Sequence, residues 1–502
     1  MERLRSCFSL PLGKPLGPER YIPMLLKRFI LSFAALLLFV ESDDATPQKR
    51  VEKSPTVIAI THVTVIQGPT SGPKRDQTVL ILGNRITALG KNTAIKLSPG
   101  TRIVDGRNKF LVPGFWDSHV HLTLAGESAL QLFIANGVTG VRDMVGDPTT
   151  LRDWKDRIAG GSLIGPRIKM AGFAIESADW LTVIPKVDQM FKLDLSDAIL
   201  PGRIGVKTTE EAREAVDRIA DQAMDFVKFR TMPSRDAFLA MADEAAKRKI
   251  WFVGHEPDVV NLAEAASAGQ RSIEHLPFMS MAKDSAEARK ATFATFARLG
   301  TWVDPTLVAA VGYRGVPDEA VMSVVEDKSN AIDPRRKYLS PSLLEFWRAQ
   351  IVIKQVEEPQ DWPTLLQQGF SDLAEMRKLG VSIVAGTDLG APLVYPGFSL
   401  HEELAMLVEK GGFSPAQAIE DSTVQPAKLL GVEKDLGTVQ PGKLADLVLL
   451  DRDPLLNIAN TKAIFAVIAD GKFYDREALD AMLQRVATSM GKETKKAAER
   501  AH

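Results

Sequence analysis

Cysteine is almost missing from this sequence, because the only thiol is that of Cys7. A lone cysteine cannot form an intrachain disulfide, so core packing must stabilise the fold. Its scarcity also excludes clusters of thiolate ligands from any metal site. A metal centre in this chain therefore has to be built from histidine nitrogen, carboxylate oxygen or an oxygen carried by a modified lysine.

The chain also lacks an excess of either charge. Its 62 Lys and Arg residues balance 63 Asp and Glu residues, the formal net charge is -1 and the pI is near 6.7. This balance gives no general attraction to polyanions, so no nucleic-acid partner is expected. With 502 residues, of which 45% are hydrophobic and 25% charged, the chain is expected to fold as one large globular domain and a smaller one.

No apolar run reaches the roughly 20 residues that a membrane-spanning helix needs. Residues 29–40, FILSFAALLLFV, follow two basic residues and precede a polar stretch with small residues. This pattern predicts a secretory signal inside an N-terminal extension, 1–45, with translation starting at Met24. The protein is therefore expected to be exported to the periplasm or the cell exterior. Membrane contact is limited to this segment, which becomes an anchor if it is not cleaved.

Strand patterns occur at both ends of the remaining chain, where apolar and polar residues alternate between turn residues. The four segments are 57–66, 77–90, 437–455 and 461–474. Two strand-rich ends around a long middle predict one small discontinuous β-sandwich domain, formed by 55–110 and 437–475. Residues 476–502 are expected to form a C-terminal helix and a frayed charged tail.

The middle of the chain, 111–436, alternates short apolar strands with helical stretches. This rhythm is typical of an α/β fold in which a parallel sheet closes into a (β/α)8 TIM-like barrel. Helices are predicted from Thr209 and from Ser234, each with a hydroxyl residue as cap. Residues 309–362 are too many for an ordinary loop and are expected to form a helical lid. The eight candidate strands are 111–121, 138–144, 166–174, 225–230, 250–255, 271–275, 300–305 and 381–387.

Histidine is scarce, and four of the seven histidines lie at the ends of predicted barrel strands. His119 and His121 end the segment LVPGFWDSHVHL. Residues i and i+2 of a strand share a face, so both imidazoles can reach one metal ion. His255 in WFVGHEP and His275 in RSIEHLP end two later strands. The carboxyl ends of the strands are where such barrels place their active sites.

Two further polar residues occupy matching positions, Lys228 in DFVKFR and Asp388 in SIVAGTDLGA. Burying a charged group costs several kcal/mol unless a partner compensates it. Six such groups at strand ends indicate that a shared metal ion offsets the cost of burying them. Their nitrogen and oxygen atoms suit Zn first, and also Mn, Fe or Co. The sequence therefore predicts a site for one or two divalent metal ions.

Each of these residues also has an interpretation without metal. The four histidines are then packed core residues, Lys228 a rim lysine of a mononuclear enzyme and Asp388 the cap of a turn. Arg230 shares the face of Lys228 and either binds a substrate carboxylate or is a solvated rim residue. His401 is either structural or a neighbour of the ligands. Three other residues carry a purely structural expectation: His62, Glu256 and His502.

Taken in order, these motifs resemble the amidohydrolase superfamily of metal-dependent hydrolases. The resemblance covers about 57–475, and the prolidase-like dipeptidases and imidazolonepropionase-like enzymes are the most similar members, because GHEP is followed by SIEHL. Its other elements are VPGFWDSHVHL, GVTGVRDM, the strand lysine, GTD, STVQPAKLLGV and GTVQPGKLADLVLLD.

The resemblance implies a ligand set and a reaction. His119, His121 and Asp388 hold the more buried ion, and His255 and His275 hold the second. Lys228, carboxylated by carbon dioxide, bridges the two ions as a carbamate. Asp388 then acts as the general base while metal-activated hydroxide attacks a carbon-nitrogen bond.

The expected partner is a small molecule with an amide or peptide bond, a dipeptide being the first choice. The alternative enzyme is a cyclic-amide hydrolase of the imidazolonepropionase type or a deaminase. A remote alternative is a non-catalytic metal-binding scaffold, which would be expected to lack ligands. The sequence leaves association into a homo-oligomer open.

Overall fold

The computed structural model describes residues 57–67, 72–191, 196–354 and 359–500. All of them belong to one compact unit, Ser54–His502. The expected N-terminal extension and export signal lie outside the described residues, so export stays a prediction. Within the described ranges, no helix combines the length and apolar character needed to cross a bilayer.

Strands from both ends of the chain join one mixed eight-stranded sheet. Its order is β18-β17-β16-β5-β1-β2-β3, with β4 beside β1. β1 pairs with β2 and β2 pairs with β3, both antiparallel. The described strands form one hydrogen-bonded sheet, so the predicted sandwich is not confirmed, and the domain boundaries stay predictions. The strands are β1 Val57–Val65, β2 Lys74–Leu82, β3 Arg85–Lys91, β4 Arg102–Asp105, β5 Phe110–Pro113, β16 Leu447–Leu450, β17 Ile464–Ala469 and β18 Lys472–Asp475.

The middle of the chain forms parallel strands in two sheets, one of order β6-β7-β8 and one of order β10-β9-β11-β12-β13-β14-β15. Backbone hydrogen bonds also join the sheets, from Ser118 N to Ala385 O (2.9 Å) and from Asp225 N to Met170 O (3.0 Å). This arrangement is an α/β fold of the TIM-barrel type. The strands are β6 Phe115–Val120, β7 Val138–Asp143, β8 Arg167–Met170, β9 Ala174–Ser177, β10 Arg203–Val206, β11 Val227–Phe229, β12 Phe252–His255, β13 Gln270–Glu274, β14 Trp302–Asp304 and β15 Ser382–Ile383.

Two predicted strands differ from the structure, and one strand was not predicted. The segment 111–121 is two strands, because β5 pairs with β16 while β6 pairs with β7. The segment 166–174 is interrupted at 171–173, which separates β8 from β9. β10 was not predicted, since its sequence RIGV is too short to show a period and contains both a charge and a glycine.

Helices cover the outer side of these strands and fill the long insertion. Ser234 caps α8 as predicted, but Thr208 rather than Thr209 caps α7. The described part of the insertion 309–362 contains α12 and α13, and α18 extends to Arg500, so the expected frayed tail is largely helix. The helices are α1 Leu122–Ala125, α2 Leu130–Ala135, α3 Pro148–Ala159, α4 Ala178–Leu181, α5 Ile184–Phe191, α6 Ser196–Ile199, α7 Thr209–Asp221, α8 Arg235–Arg248, α9 Leu262–Ser267, α10 Ala286–Leu299, α11 Leu307–Ala310, α12 Asp318–Glu326, α13 Pro341–Lys354, α14 Trp362–Lys378, α15 Phe398–Glu409, α16 Pro415–Asp421, α17 Val424–Leu429 and α18 Arg476–Arg500.

Candidate metal centre

The two histidines at the end of β6 converge on Asp388, which follows β15. His119 Nε2 lies 3.5 Å from Asp388 Oδ1, and His121 Nε2 lies 3.2 Å from the same oxygen. The two rings have centroids 5.5 Å apart. The structure therefore brings together the three side chains that the sequence assigns to one ion.

His275 and His255 lie beside this group. The ring centroid of His275 is 4.7 Å from that of His119 and 4.6 Å from that of His255. One donor atom each from His119, His275 and Asp388 lie within 4.8 Å of one another. Four imidazoles, two of them from the end of β6, and one carboxylate thus meet at the carboxyl ends of four parallel strands.

Lys228 is buried in the middle of β11, with 2% of its surface exposed. Its Nζ has no hydrogen-bond partner among the described residues. Burial lowers the pKa of this ammonium group to about 8. A buried amine without a partner is costly, and the lowered pKa increases the fraction of the neutral, nucleophilic form near neutral pH.

The donor set fits one or two divalent ions. Burial lowers the pKa of His119 and of His255, and lowers the pKa of His275 to about 4, so these rings are neutral and offer lone pairs. Burial acts to raise the pKa of Asp388, but the nearby histidines outweigh it and hold that pKa below the usual range. Neutral imidazoles with an ionised carboxylate are the ligand types that zinc and its neighbours prefer.

The backbone at this centre is strained. His275 has φ of 75° and Asp388 has φ of 54°, both in the left-handed region. Such residues cost of order 1–3 kcal/mol each and persist where the surrounding structure holds them. His275 is held by two hydrogen bonds, one between its Nδ1 and Thr306 Oγ1 (2.8 Å) and one from its backbone N to Asp304 O (2.8 Å). The strain aims both side chains at the shared centre.

A buried charged layer that the sequence did not predict lies behind the histidines. Glu274 Oε2 lies 3.2 Å from His119 Nδ1 and accepts a hydrogen bond from Arg142 Nη2 at 2.7 Å. The same Nη2 lies 3.2 Å from Asp304 Oδ2. Although Glu274 and Asp304 have ligand-like spacing with His119, the Arg142 guanidinium already pairs with both carboxylates. This group is therefore a support for His119 and not a second ion site.

A signal for these residues exists in the sequence, since each is a charged residue inside an apolar strand. Arg142 lies in GVRDM, Glu274 precedes a ligand in SIEH, and Asp304 lies in WVDP. In the structure, Arg142 is the next-to-last residue of β7, and Glu274 and Asp304 are the last residues of β13 and β14. Only the three-dimensional structure shows that they pair with one another.

The insertion contributes to the surroundings of the site. Gln350 of α13 donates from Nε2 to Gly390 O at 2.8 Å. Gly390 lies two residues after Asp388, and a side chain there would contact both His121 and Phe346 of α13. The helical insertion therefore borders the ligands.

The remaining candidates do not join the ligands. Arg230 pairs with Glu176, its Nη1 lying 3.3 Å from Glu176 Oε2. His401 contacts Thr461 Oγ1 and Asn136 O, which makes it structural. Glu256 accepts hydrogen bonds from the backbone of Met279 and Ser280, and His62 pairs with Asp76, as their structural interpretation expects. His502 lies outside the described residues.

The site can now be compared with known proteins. The model of the amidohydrolase family matches residues 110–474, which is most of the chain. The chain belongs to the amidohydrolase family. The predicted enzyme class, a hydrolase acting on carbon-nitrogen bonds, is thereby confirmed.

Relatives of this amidohydrolase carry several activities. It is 22% identical to an imidazolonepropionase of Symbiobacterium thermophilum over 77% of this chain and 88% of that protein. It is also 22% identical to an adenine deaminase of Staphylothermus marinus, over 79% of this chain but only 55% of the deaminase. Among solved structures, a Xaa-Pro dipeptidase with bound methionine has a TM-score of 0.61 at 21% identity, covering 84% of this chain and 100% of that chain. At this identity, the structural likeness shows the fold alone.

Proposed function

We propose that this amidohydrolase hydrolyses an amide or peptide bond of a small substrate at a centre holding one or two divalent ions, with zinc as the first choice. The observation that carries the proposal is the convergence of donor atoms from His119, His275 and Asp388 within 4.8 Å. The residues that would hold the ions are His119, His121, Lys228, His255, His275 and Asp388. A divalent ion bound there supplies Lewis acidity, which polarises a carbonyl and makes water a better nucleophile near neutral pH.

Asp388 is proposed as the general base. Its carboxylate is ionised at neutral pH because the neighbouring histidines hold its pKa low, although burial opposes them. It lies against both His119 and His121, so its position is fixed. The carboxylate accepts a proton from the attacking water and returns it to the leaving nitrogen. The products are a carboxylic acid and an amine.

Lys228 is proposed to act as a carbamate. Its neutral amine attacks carbon dioxide, an N–C bond forms and one proton leaves, which turns a buried cation into an anion with two oxygens. The buried position, the absence of a partner for Nζ among the described residues and the pKa of about 8 support this modification. The carbamate would bridge two ions, and an unmodified Lys228 would leave a mononuclear site.

A dipeptide-like substrate is the first choice, because a two-ion site suits an unactivated amide and because the fold is shared with a Xaa-Pro dipeptidase. A cyclic-amide hydrolase is the second candidate, supported by the imidazolonepropionase relative. The adenine deaminase relative supports a deaminase in the same way.

One screen separates these activities. The enzyme, grown and loaded with a defined metal, is tested on a dipeptide library and on a panel of lactams, imidazolones and aminopurines. Turnover of dipeptides is expected. Turnover of lactams or imidazolones without turnover of dipeptides would favour the cyclic-amide hydrolase over the dipeptidase. Metal binding without turnover of any compound would favour a non-catalytic scaffold.

Export is a separate proposal, supported by the apolar segment 29–40 behind basic residues. A reporter enzyme fused to a segment beginning at Met24 and ending at 60 is expected to leave the cytosol. Retention of the reporter in the cytosol would contradict export.

A further inference from the structure

A cationic cluster stands next to the metal centre on the same face of the parallel sheet. Arg230 follows Lys228 by two residues, so their side chains point to one face. Lys228 pairs with Ala174 of β9, and Arg203 of β10 pairs with the same alanine from the other side. Glu176, two residues after Ala174, shares that face. Three neighbouring strands therefore present Lys228, Arg230, Glu176 and Arg203 together.

Two guanidinium groups of the cluster share one carboxylate. Glu176 is 1% exposed and pairs through Oε1 with Arg203 Nη1 at 2.5 Å and through Oε2 with Arg230 Nη1 at 3.3 Å. One buried carboxylate thus serves two guanidinium groups. The Nε of Arg203 is buried without a hydrogen-bond partner among the described residues. Arg230 therefore has only a shared acceptor in Glu176, and a second carboxylate can bind to it.

Arg230 is the member that an incoming anion can reach. Its side chain is 33% exposed, compared with 15% for Arg203. The face of its guanidinium lies 4.8 Å from the ring centroid of Trp180, in a cation-π contact. Glu176 contacts Arg230 through Nη1 alone, and the other donors of the guanidinium group have no hydrogen-bond partner among the described residues. Glu176 and Trp180 therefore orient Arg230, and those donors can pair with another carboxylate.

We propose that Arg230, oriented by Glu176 and Trp180 and backed by Arg203, binds a free carboxylate of the substrate. Two residues of strand separate it from Lys228, about 7 Å, so the carboxylate lies close to the bond that is cleaved. The substrate class is then a dipeptide or an N-acylated amino acid with a free carboxyl group. Nucleobases and C-terminal amides lack that group. This carboxylate-binding subsite rests on the amide hydrolysis proposed above. It narrows the substrates of that reaction to amides that carry a free carboxylate.

The test compares L-alanyl-L-leucine with L-alanyl-L-leucinamide, which differ in the carboxylate alone. The wild-type enzyme is expected to prefer the free dipeptide in kcat/KM. Arg230→Met keeps a long apolar stem against Trp180 but removes the charge. It is expected to lower kcat/KM for the dipeptide by about 10- to 100-fold, chiefly through KM, and to leave the amide unchanged. Arg230→Lys should be intermediate, because an ammonium group is a point charge without the fork.

Arg235→Met is the matched control, because Arg235 makes an exposed pair with Glu264 on the helix that follows the same strand. It is expected to behave as wild type on both compounds. Metal content and melting temperature are measured for every variant. An equal loss on both compounds in Arg230→Met, or no preference in the wild type, would overturn the subsite.

A binding measurement separates this subsite from the proposed reaction. Calorimetry with L-leucine and L-leucinamide is expected to show tighter binding of L-leucine to the wild-type protein and no difference in Arg230→Met. If that difference is found but no amide is hydrolysed, the subsite stands and the proposed reaction fails. Equal binding of the two compounds to the wild type, including no binding of either, overturns the subsite.

Discussion

His119 Nδ1 lies 3.2 Å from Glu274 Oε2, and both side chains are buried. The carboxylate accepts the Nδ1 proton, which leaves Nε2 with a lone pair facing Asp388. Glu274 is itself held by Arg142 Nη2 at 2.7 Å and by the Ser272 hydroxyl. The orientation of His119 is therefore set by the protein before any ligand binds, as is common for histidines that bind metal.

Glu274→Gln is expected to weaken metal binding by about 10- to 100-fold, because the amide is a poorer acceptor for the Nδ1 proton. Competition with a chelator measures the dissociation constant. Glu264→Gln, at the exposed pair with Arg235, is the control and should bind metal like wild type. An unchanged affinity in Glu274→Gln, with a normal melting temperature, would show that the carboxylate does not orient His119.

Asp388→Asn is expected to lower kcat by about 10²- to 10⁴-fold, because the carboxamide cannot accept the proton of the attacking water. Kinetics on the best substrate and metal counting on the same sample separate loss of the base from loss of the ion. Asp435→Asn, at the exposed pair with Arg85, is the control. Near-normal turnover in Asp388→Asn would rule out the assigned base.

His401 makes stability depend on pH. Burial lowers the pKa of His401 to about 4, whereas a histidine in the unfolded chain titrates near 6.5. Below about pH 6.5 the unfolded chain therefore binds a proton that the folded protein does not. Stability is lost as the pH falls from 6.5 to about 4, at about 1.4 kcal/mol per pH unit.

Urea unfolding of the metal-free protein at several pH values measures this slope. His401→Gln keeps hydrogen-bonding groups near Thr461 Oγ1 and Asn136 O but cannot titrate. Its stability is expected to fall less steeply than that of wild type between pH 6.5 and 4. Parallel curves for the two proteins would show that His401 is not responsible.

Gly140 of β7 tests the packing behind the site. A Cβ at this position would lie 2.2 Å from Cε2 of Trp116, which is fully enclosed. Gly140→Ala is expected to lower the free energy of unfolding by about 1–3 kcal/mol through overpacking. Gly491→Ala is the control, because that glycine lies on α18 with open space around it. Alanine there should raise stability by up to about 1 kcal/mol. A neutral Gly140→Ala would mean that Trp116 moves freely.

The ligand positions were predictable from sequence because each interrupts or ends an apolar strand, as His119, Lys228 and His255 do. The supporting role of Arg142 was not predictable from sequence, because Arg142 acts by pairing with Glu274 on β13 and Asp304 on β14. Sequence periodicity carries no information on such pairs between distant strands.

Short strands were the other limit. β10 has too few residues to show a period, and backbone pairing with β9 defines it. The cluster around Arg230 depends on β10, because Arg203 comes from that strand. The sequence therefore drew attention to Arg230 but not to Arg203, Glu176 or Trp180.

The most direct test of the account counts metal ions in wild type and in Lys228→Ala by native mass spectrometry. Both proteins are loaded with zinc in bicarbonate buffer, and the wild-type mass is examined for carbon dioxide on Lys228. The account predicts two ions in the carboxylated wild type, at most one in Lys228→Ala, and loss of hydrolysis in the variant. An unchanged metal content in Lys228→Ala, or two ions in a wild type without carboxylation, would contradict the bridging lysine.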